Sequence, residues 1–250
     1  MTADSQDHFS KVAGDYAAYR PRYPEKLYQW LASVSPGTRL AWDAGTGNGQ
    51  AAVALAAFFQ RVIATDFSAD QIREAAADPR VEYQVASVEK SGLADESVEL
   101  ITIAQALHWF NPEAFFAEAR RVLVPGGVIA AWTYGVVHGD DRPTDELLHQ
   151  FYYDEMGPWW PENRKLVEAG YRTIRFPFTE LSPPPFEMRV RWSLGELLGY
   201  IGTWSAVSRC REGSGTDPLA SLATRLAAVW GDPQAQREIR WPLSMRAGRA

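Results

Sequence analysis

Residues 39–49 have the sequence RLAWDAGTGNG, and this stretch decides the fold. The run Arg39–Asp43 predicts a short strand that ends on an acid. The segment Asn48–Phe59 predicts a helix, because alanine has the highest helix propensity and no breaker interrupts the run. Glycines between a strand and a helix let a ligand approach the backbone, and the helix N-terminus offers free N–H groups. The stretch therefore predicts a ligand-binding turn at the end of a first strand.

The first two-thirds of the chain alternates such strands with helices. Further strands are predicted at residues 61–66, 81–85, 98–104 and 128–132. Ser68 with Gln71, and Asn111 with Pro112, are residue pairs typical of helix starts. Strands and helices that alternate at crossover lengths predict an α/β fold with a doubly wound, mostly parallel sheet.

After Trp132 the alternation stops. Residues 135–165 and 194–232 are predicted as lid insertions on the substrate side, the first rich in Gly, Pro, Asp, Tyr and Trp and the second helical. Residues 171–178 predict one further strand and residues 239–246 a last one. We therefore expect residues 1–250 to form a single domain with an inserted helical lid.

The composition excludes several classes of protein. With 25 Lys+Arg against 31 Asp+Glu, the formal charge is −6, which disfavours nucleic-acid binding because that depends on basic residues. The longest apolar run, Ala51–Phe59, is far shorter than the roughly 20 residues of a membrane span. The first residues lack the apolar core of a secretory signal. We expect a cytoplasmic protein without a nucleic-acid or membrane partner, either a monomer or a homodimer.

Two acids accompany the glycine turn. Asp43 repels a pyrophosphate but attracts a cation such as an ammonium group, and Gln50 stands where a dinucleotide fingerprint requires glycine. Asp66 ends the second strand, where a doubly wound sheet places it beside the turn and within reach of ribose hydroxyls. Phe67 follows and can lie against an adenine ring. These residues predict a nucleoside ligand that is positively charged at its other end.

The motif DAGTGNG at residues 43–49, together with Asp66, resembles the class I methyltransferases that use S-adenosylmethionine. Four further segments are similar to the trans-aconitate methyltransferase-like (methyltransferase type 11) subgroup: YAAYRPRYP at 16–24, QALHWF at 105–110, GYIGTWSAV at 199–207 and WPL at 241–243. The resemblance implies a Rossmann-like seven-stranded sheet and S-adenosyl-L-methionine as cofactor. It also implies in-line methyl transfer to a small-molecule acceptor, such as a carboxylate or a hydroxyl. A noncatalytic cofactor-binding module is the alternative, and an NAD-dependent oxidoreductase is less favoured.

The resemblance also implies which residues hold the cofactor. Residues 1–30 would cover it, the turn would face its methionine end, and Ser87 stands where the family usually has an acid near adenine. The implied cofactor-binding residues are Tyr16, Arg20, Asp43, Ala44, Gly45, Thr46, Gly47, Asp66, Phe67, Ser87, Val88 and Gln105.

His108 follows the fourth strand and is the candidate catalytic base, because an unperturbed imidazole has a pKa of about 6.5. A contact with the substrate and a local structural role are the alternatives. The predicted substrate-binding residues are Tyr23, His108, Trp109 and Trp132. No metal site is predicted, since His8, His138 and His149 show no ligand spacing with an acid.

Tryptophan is unevenly distributed along the chain. All but Trp30 and Trp42 of the ten tryptophans follow the fourth strand. This distribution predicts an aromatic-walled pocket for a small, partly apolar acceptor.

Overall fold

The structure is a computed structural model that describes residues 21–250, so Tyr16, Arg20 and His8 lie outside the described residues. The described chain divides into two compact units. The larger unit comprises Tyr23–Tyr134, Lys165–Phe186 and Leu243–Ala250, and the smaller unit includes Gly135–Arg164 and Glu187–Pro242. The segments of the smaller unit contain nearly all of the two predicted insertions, whose role as a lid stays a prediction.

The strands have the following bounds: β1 Leu40–Ala44, β2 Arg61–Asp66, β3 Val81–Val85, β4 Val98–Ala104, β5 Leu123–Tyr134, β6 Thr179–Leu181, β7 Glu187–Trp192 and β8 Arg237–Arg249. Within the larger unit the order of the described strands is β3-β2-β1-β4-β5-β8-β6. The pairs from β3 to β5 are parallel, whereas the last residues of β8 pair antiparallel with β5 and β6. The predicted doubly wound, mostly parallel seven-stranded sheet is confirmed.

The helices have the following bounds: α1 Glu25–Val34, α2 Gln50–Leu55, α3 Ala69–Arg73, α4 Pro112–Val122, α5 Arg142–Gln150, α6 Arg164–Glu168, α7 Leu194–Gly202, α8 Ser205–Ser214 and α9 Pro218–Trp230. Short 3₁₀ turns lie at Leu107–Trp109 and Gly157–Trp159, and a π turn at Phe151–Glu155. Among residues 21–250, no helix combines the length and the apolar character that crossing a membrane requires.

The predicted helix caps are present. The Ser68 Oγ accepts a hydrogen bond from the Gln71 N–H at 3.3 Å, and the Asn111 Oδ1 accepts one from the Ala114 N–H at 3.3 Å. Each bond satisfies a backbone donor that has no partner inside its helix. The Ser68 cap fixes the start of α3 just after β2, and the Asn111 cap fixes the start of α4.

The core of the larger unit lies on both faces of its sheet. Successive side chains of a strand point to opposite faces. In β1, Trp42 accordingly packs in one cluster with Phe115, and Ala41 packs in the other with Leu27. With both faces covered, the edge formed by the carboxyl ends of the strands remains for a ligand.

The strand predicted at residues 171–178 is wrong. Gly170 and Tyr171 both have positive φ, at +58° and +59°, and strand β6 begins only at Thr179. Pro177 cannot donate to a strand ladder. Phe176 and Phe178 instead pack edge-on against Phe116 of α4, with ring centroids 5.6 and 5.7 Å apart. The segment is therefore not a strand, and its two phenylalanines pack into the core.

The smaller unit is largely helical and has an aromatic core. Strand β7 pairs antiparallel with the first residues of β8, and Tyr200 packs edge-on against Trp204 and Trp241. Trp204, Trp230 and Trp241 are buried, whereas Trp159, Trp160 and Trp192 keep exposed surface. Much of the tryptophan surplus thus belongs to the core of this unit.

Candidate active site

The glycine turn joins β1 to α2 and is tied to β2. The Gly45 and Thr46 N–H groups both donate to the Thr65 carbonyl at 2.9 Å. Gly45 has a φ of +70°, and a Cβ there would lie 2.8 Å from the Ala106 Cβ and 2.9 Å from the Phe110 ring. Only glycine allows the turn to approach the segment after β4 this closely. The chain thereby forms a cradle between the ends of β1 and β4.

Asp66 lies against this turn, as the sequence predicts. Its Oδ2 accepts a hydrogen bond from the Gly47 N–H at 2.8 Å, and its Oδ1 accepts one from the Ser68 N–H at 2.9 Å. Burial raises the pKa of Asp66, and these backbone donors oppose the rise. Because each carboxylate oxygen has a second lone pair, the group can also accept from the two hydroxyls of a ribose.

Asp43 lies beneath the turn and has no exposed surface. Its Oδ2 accepts from the Thr46 hydroxyl and its Oδ1 from the Thr102 hydroxyl, both at 2.6 Å. Burial raises the pKa of Asp43 to about 6, the charge of Asp66 adds to the rise, and the two threonine hydroxyls oppose it. Ala44 is equally buried. The Asp43 side chain thus bonds the two threonines that shape the turn, and the prediction that Asp43 faces the methionine end of a ligand stays a prediction.

Two exposed apolar side chains lie beside Asp66 at the same sheet edge. Phe67 is 49% exposed and Val85 is 56% exposed, and Val85 is the register partner of Asp66 across β2 and β3. Together they present apolar surface next to the Asp66 carboxylate. Their position suits the flat face of an adenine.

The segment just after β3 also contains an acid that sequence reasoning missed. The Ser87 hydroxyl donates to the Glu89 carboxylate, which accepts a further bond from the Asn111 N–H at 3.2 Å. Val88 is buried in the core. The family usually has its acid at the position of Ser87, and here the acid stands two residues later, at Glu89. The turn of the chain places the Glu89 carboxylate next to the Ser87 hydroxyl.

Gln105 has a strained backbone and an occupied side chain. Its φ is +55°, unusual for a residue with a Cβ. Its Oε1 accepts from the Tyr134 N–H at 3.0 Å and from the Thr133 hydroxyl, while its Nε2 donates to the Tyr134 carbonyl at 3.2 Å. The amide thus ties the ends of β4 and β5 together, and its predicted place beside the amino-acid end of a ligand stays a prediction.

His108 lies in the 3₁₀ turn after β4 and is held by a residue distant in sequence. Its Nδ1 lies 3.0 Å from the Tyr171 hydroxyl, and its ring stacks on that phenol and lies 4.9 Å from the Trp109 ring. Tyr171 is fully buried, and its carbonyl accepts from Arg246 at 3.1 Å. No sequence pattern links Tyr171 to His108, because the partners are 63 residues apart.

One of the predicted substrate-binding residues, Trp132, is packed in the core. Trp132 has no exposed surface and packs edge-on against Tyr23 and Tyr28, at centroid distances of 5.4 and 6.5 Å. A ring without exposed surface offers no face to an acceptor. Tyr23 keeps some exposure, and both it and Trp109 are half-buried.

Comparison with known proteins decides the family. A family profile described as a methyltransferase domain matches residues 42–131. A Dictyostelium discoideum protein assigned as a methyltransferase is 32% identical over 227 residues, which cover 90% of this chain and 86% of that protein. The chain belongs to the methyltransferase family. It is an enzyme of class I, with the Rossmann-like fold that its sheet order shows.

A solved structure and a further relative are also similar to this methyltransferase. A solved structure from Anaeromyxobacter dehalogenans, assigned as a type II methyltransferase, is 47% identical, has a TM-score of 0.88 and covers 92% of this chain and 98% of that one. A Saccharomyces cerevisiae relative assigned as S-adenosylmethionine-dependent is 29% identical over 170 residues, covering 62% of this chain and 58% of that protein. S-adenosyl-L-methionine is the cofactor.

The residues of the sheet edge fit that cofactor. Gly47 has a φ of +56°, and its N–H donates to the Asp66 carboxylate, so glycine suits this place in the turn. Asp66 suits the ribose diol, and the exposed Phe67 suits the adenine. The buried charge of Asp43 favours a cationic end nearby.

The expectation that no histidine pairs with an acid in a ligand group is wrong for two of the histidines. His138, Asp145 and His149 of the smaller unit bring three donor atoms within 4.8 Å of one another. The spacing from Asp145 to His149 is one helical turn, which was the missed signal.

Proposed function

We propose that this enzyme transfers the methyl group of S-adenosylmethionine to a small-molecule acceptor that carries a carboxylate or a hydroxyl. The observation that supports this most is the half-buried pair His108 and Trp109 just after β4, where the buried Tyr171 holds the His108 ring by a hydrogen bond. A formal charge of −6 disfavours a nucleic-acid acceptor, since the protein would have to neutralise phosphates.

The cofactor supplies a methyl group that its sulfonium makes strongly electrophilic. Asp66 holds the ribose, and Phe67 with Val85 provides the apolar surface for adenine. Glu89, bound to Ser87, provides the acceptor group that the family places near the adenine amine. Asp43 positions the turn through Thr46. The remaining task of the protein is to align the acceptor and to exclude water.

The role of His108 depends on the acceptor. A carboxylate is already anionic and needs no base, whereas a hydroxyl gains from one. For His108 to take a proton at Nε2, its Nδ1 must carry the ring hydrogen and donate it to the Tyr171 oxygen, 3.0 Å away. Tyr171 is then a positioning residue that selects the tautomer.

The test is transfer of an isotope-labelled methyl group from S-adenosylmethionine, with small carboxylic acids and phenols offered in one arm and short RNA and DNA duplexes in the other. We expect label in an ester or ether of a small acceptor. The Asp66→Ala variant serves as the cofactor-binding control and should transfer little. Label in nucleic acid would overturn the proposal, and so would tight cofactor binding without turnover on any small acceptor.

A further inference from the structure

A compact group of two histidines and one carboxylate lies in the smaller unit, which holds neither the glycine turn nor Asp66. The His138 Nδ1 lies 3.0 Å from the Asp145 Oδ1 and 3.4 Å from the His149 Nε2. The His149 Nε2 lies 4.0 Å from the Asp145 Oδ2. Three potential donor atoms therefore converge on one point.

The local fold holds the three side chains independently. Asp145 and His149 are four residues apart on α5, so they project from one face of the helix. His138 precedes that helix, and its backbone exchanges hydrogen bonds with Arg240 of β8 at 2.9 and 3.0 Å. The Gly139 N–H donates to the Asp145 Oδ1 at 3.2 Å, which orients the carboxylate. The group is thus preformed from two separately anchored segments.

The charges around Asp145 set it apart from its acidic neighbours. Asp141 pairs with Arg237, and Glu146 pairs with Arg142. Within residues 21–250, no Lys or Arg lies within 4 Å of the Asp145 carboxylate, whose ion-pairing partners there are the two histidines. Because no basic side chain other than these two histidines neutralises it there, the Asp145 carboxylate can bind a cation.

We propose that His138, Asp145 and His149 bind one divalent transition-metal ion of the zinc type. Imidazole nitrogens with a carboxylate oxygen suit Zn²⁺. Tetrahedral ligands at about 2.0–2.1 Å from zinc lie about 3.3–3.4 Å from one another. The two imidazole nitrogens are 3.4 Å apart, and one atom from each of the three residues lies within 4.8 Å of the others, so small side-chain movements reach that geometry. The side chains are 24%, 33% and 37% exposed, so water completes the fourth position.

A metal ion bound here would cross-link the segment around His138 to α5, because it would have ligands in both. That segment is bridged to β8, so the ion would join a helix to a strand edge within the smaller unit. Its effect is on the stability of this unit and not on the reacting atoms.

The test is calorimetric titration of the metal-free full-length protein with Zn²⁺, in the presence of a competing chelator of known affinity. We expect one Zn²⁺ per chain. Asp145→Asn and His149→Gln should each weaken binding by on the order of 10- to 100-fold or more. Glu146→Gln is the matched control, because it removes an exposed carboxylate from the same helix and should leave the affinity unchanged.

A second measurement guards against misfolded variants. Circular dichroism without metal should be the same for wild type, Asp145→Asn and His149→Gln, because both side chains are partly exposed. At one Zn²⁺ concentration, the metal should raise the Tm of the wild type and of Glu146→Gln more than that of the other two variants. Equal Zn²⁺ affinity in wild type and Asp145→Asn would overturn the proposal, as would the absence of saturable binding in the wild type.

Discussion

Asp43 is a residue whose surroundings set a measurable pH dependence. It has no exposed surface, and its pKa is raised from 3.8 to about 6 because burial penalises its charge. Between these values the native state binds a proton that the unfolded state has released, so its contribution to stability is greatest below pH 4 and falls as the pH rises to 6.

Asp43→Asn should remove this dependence. The amide oxygen can still accept from one threonine hydroxyl, whereas the amide NH2 must donate to the other, so that hydrogen bond reverses its direction. We expect the free energy of unfolding of the wild type, relative to the variant, to fall by about 2 kcal/mol between pH 4 and pH 7. Denaturant titrations at a series of pH values measure this. A difference that is constant with pH would show that the Asp43 pKa is not raised.

The His108–Tyr171 pair separates a catalytic role from a structural one. If His108 takes a proton from a hydroxyl acceptor, His108→Gln should lower kcat by about 100-fold or more, with the affinity for S-adenosylhomocysteine unchanged. Tyr171→Phe keeps the ring but loses the hydrogen bond, so it should lower kcat less and shift its pH profile. Steady-state kinetics on the acceptor found by the labelling assay measure both. Unchanged kcat in both variants would leave His108 a structural role only.

At the scale of the element, the turn between β1 and α2 depends on glycine for two reasons. Gly45→Ala places a Cβ within 2.9 Å of both Ala106 and Phe110 and also imposes a φ of +70° on a residue with a Cβ. Gly126→Ala is the matched control, since its φ is +75° but nothing lies within 4 Å of the added Cβ.

We expect Gly126→Ala to cost about 1–2 kcal/mol of stability and to leave cofactor affinity unchanged. Gly45→Ala should cost more, because the clash adds to the backbone strain, and should also weaken S-adenosylhomocysteine binding. Thermal unfolding and calorimetry measure the two quantities. Equal effects of the two substitutions would contradict a close approach between the turn and the segment after β4.

Three strands were predicted to the residue: β2, β3 and β4. The Ala-rich helix was predicted at residues 48–59 but spans only Gln50–Leu55, and β5 is longer at both ends than the predicted 128–132. Residues 171–178 were predicted as a strand on similar grounds. Their phenylalanines pack against Phe116 of α4 instead. Periodicity cannot distinguish these cases, since the deciding partner is distant in sequence.

At the scale of the whole molecule, the sequence predicted local motifs better than contacts between residues distant in sequence. The glycine turn and Asp66 are local motifs whose geometry follows from a parallel sheet. Tyr171, Glu89 and the His138–Asp145–His149 group arise from turns and tertiary contacts instead. Composition does not reveal burial either: Trp241 is a core residue, and the aromatic-walled pocket predicted from the tryptophan surplus stays a prediction.

The central claim is that this methyltransferase holds its cofactor through Asp66 at the carboxyl edge of the sheet. Calorimetric titration with S-adenosylhomocysteine tests it directly, with wild type, Asp66→Ala and the exposed control Glu74→Ala. We predict one site per chain, an affinity loss of about 2–3 kcal/mol (roughly 30- to 150-fold) for Asp66→Ala, and none for Glu74→Ala. Equal affinity in wild type and Asp66→Ala would contradict the account.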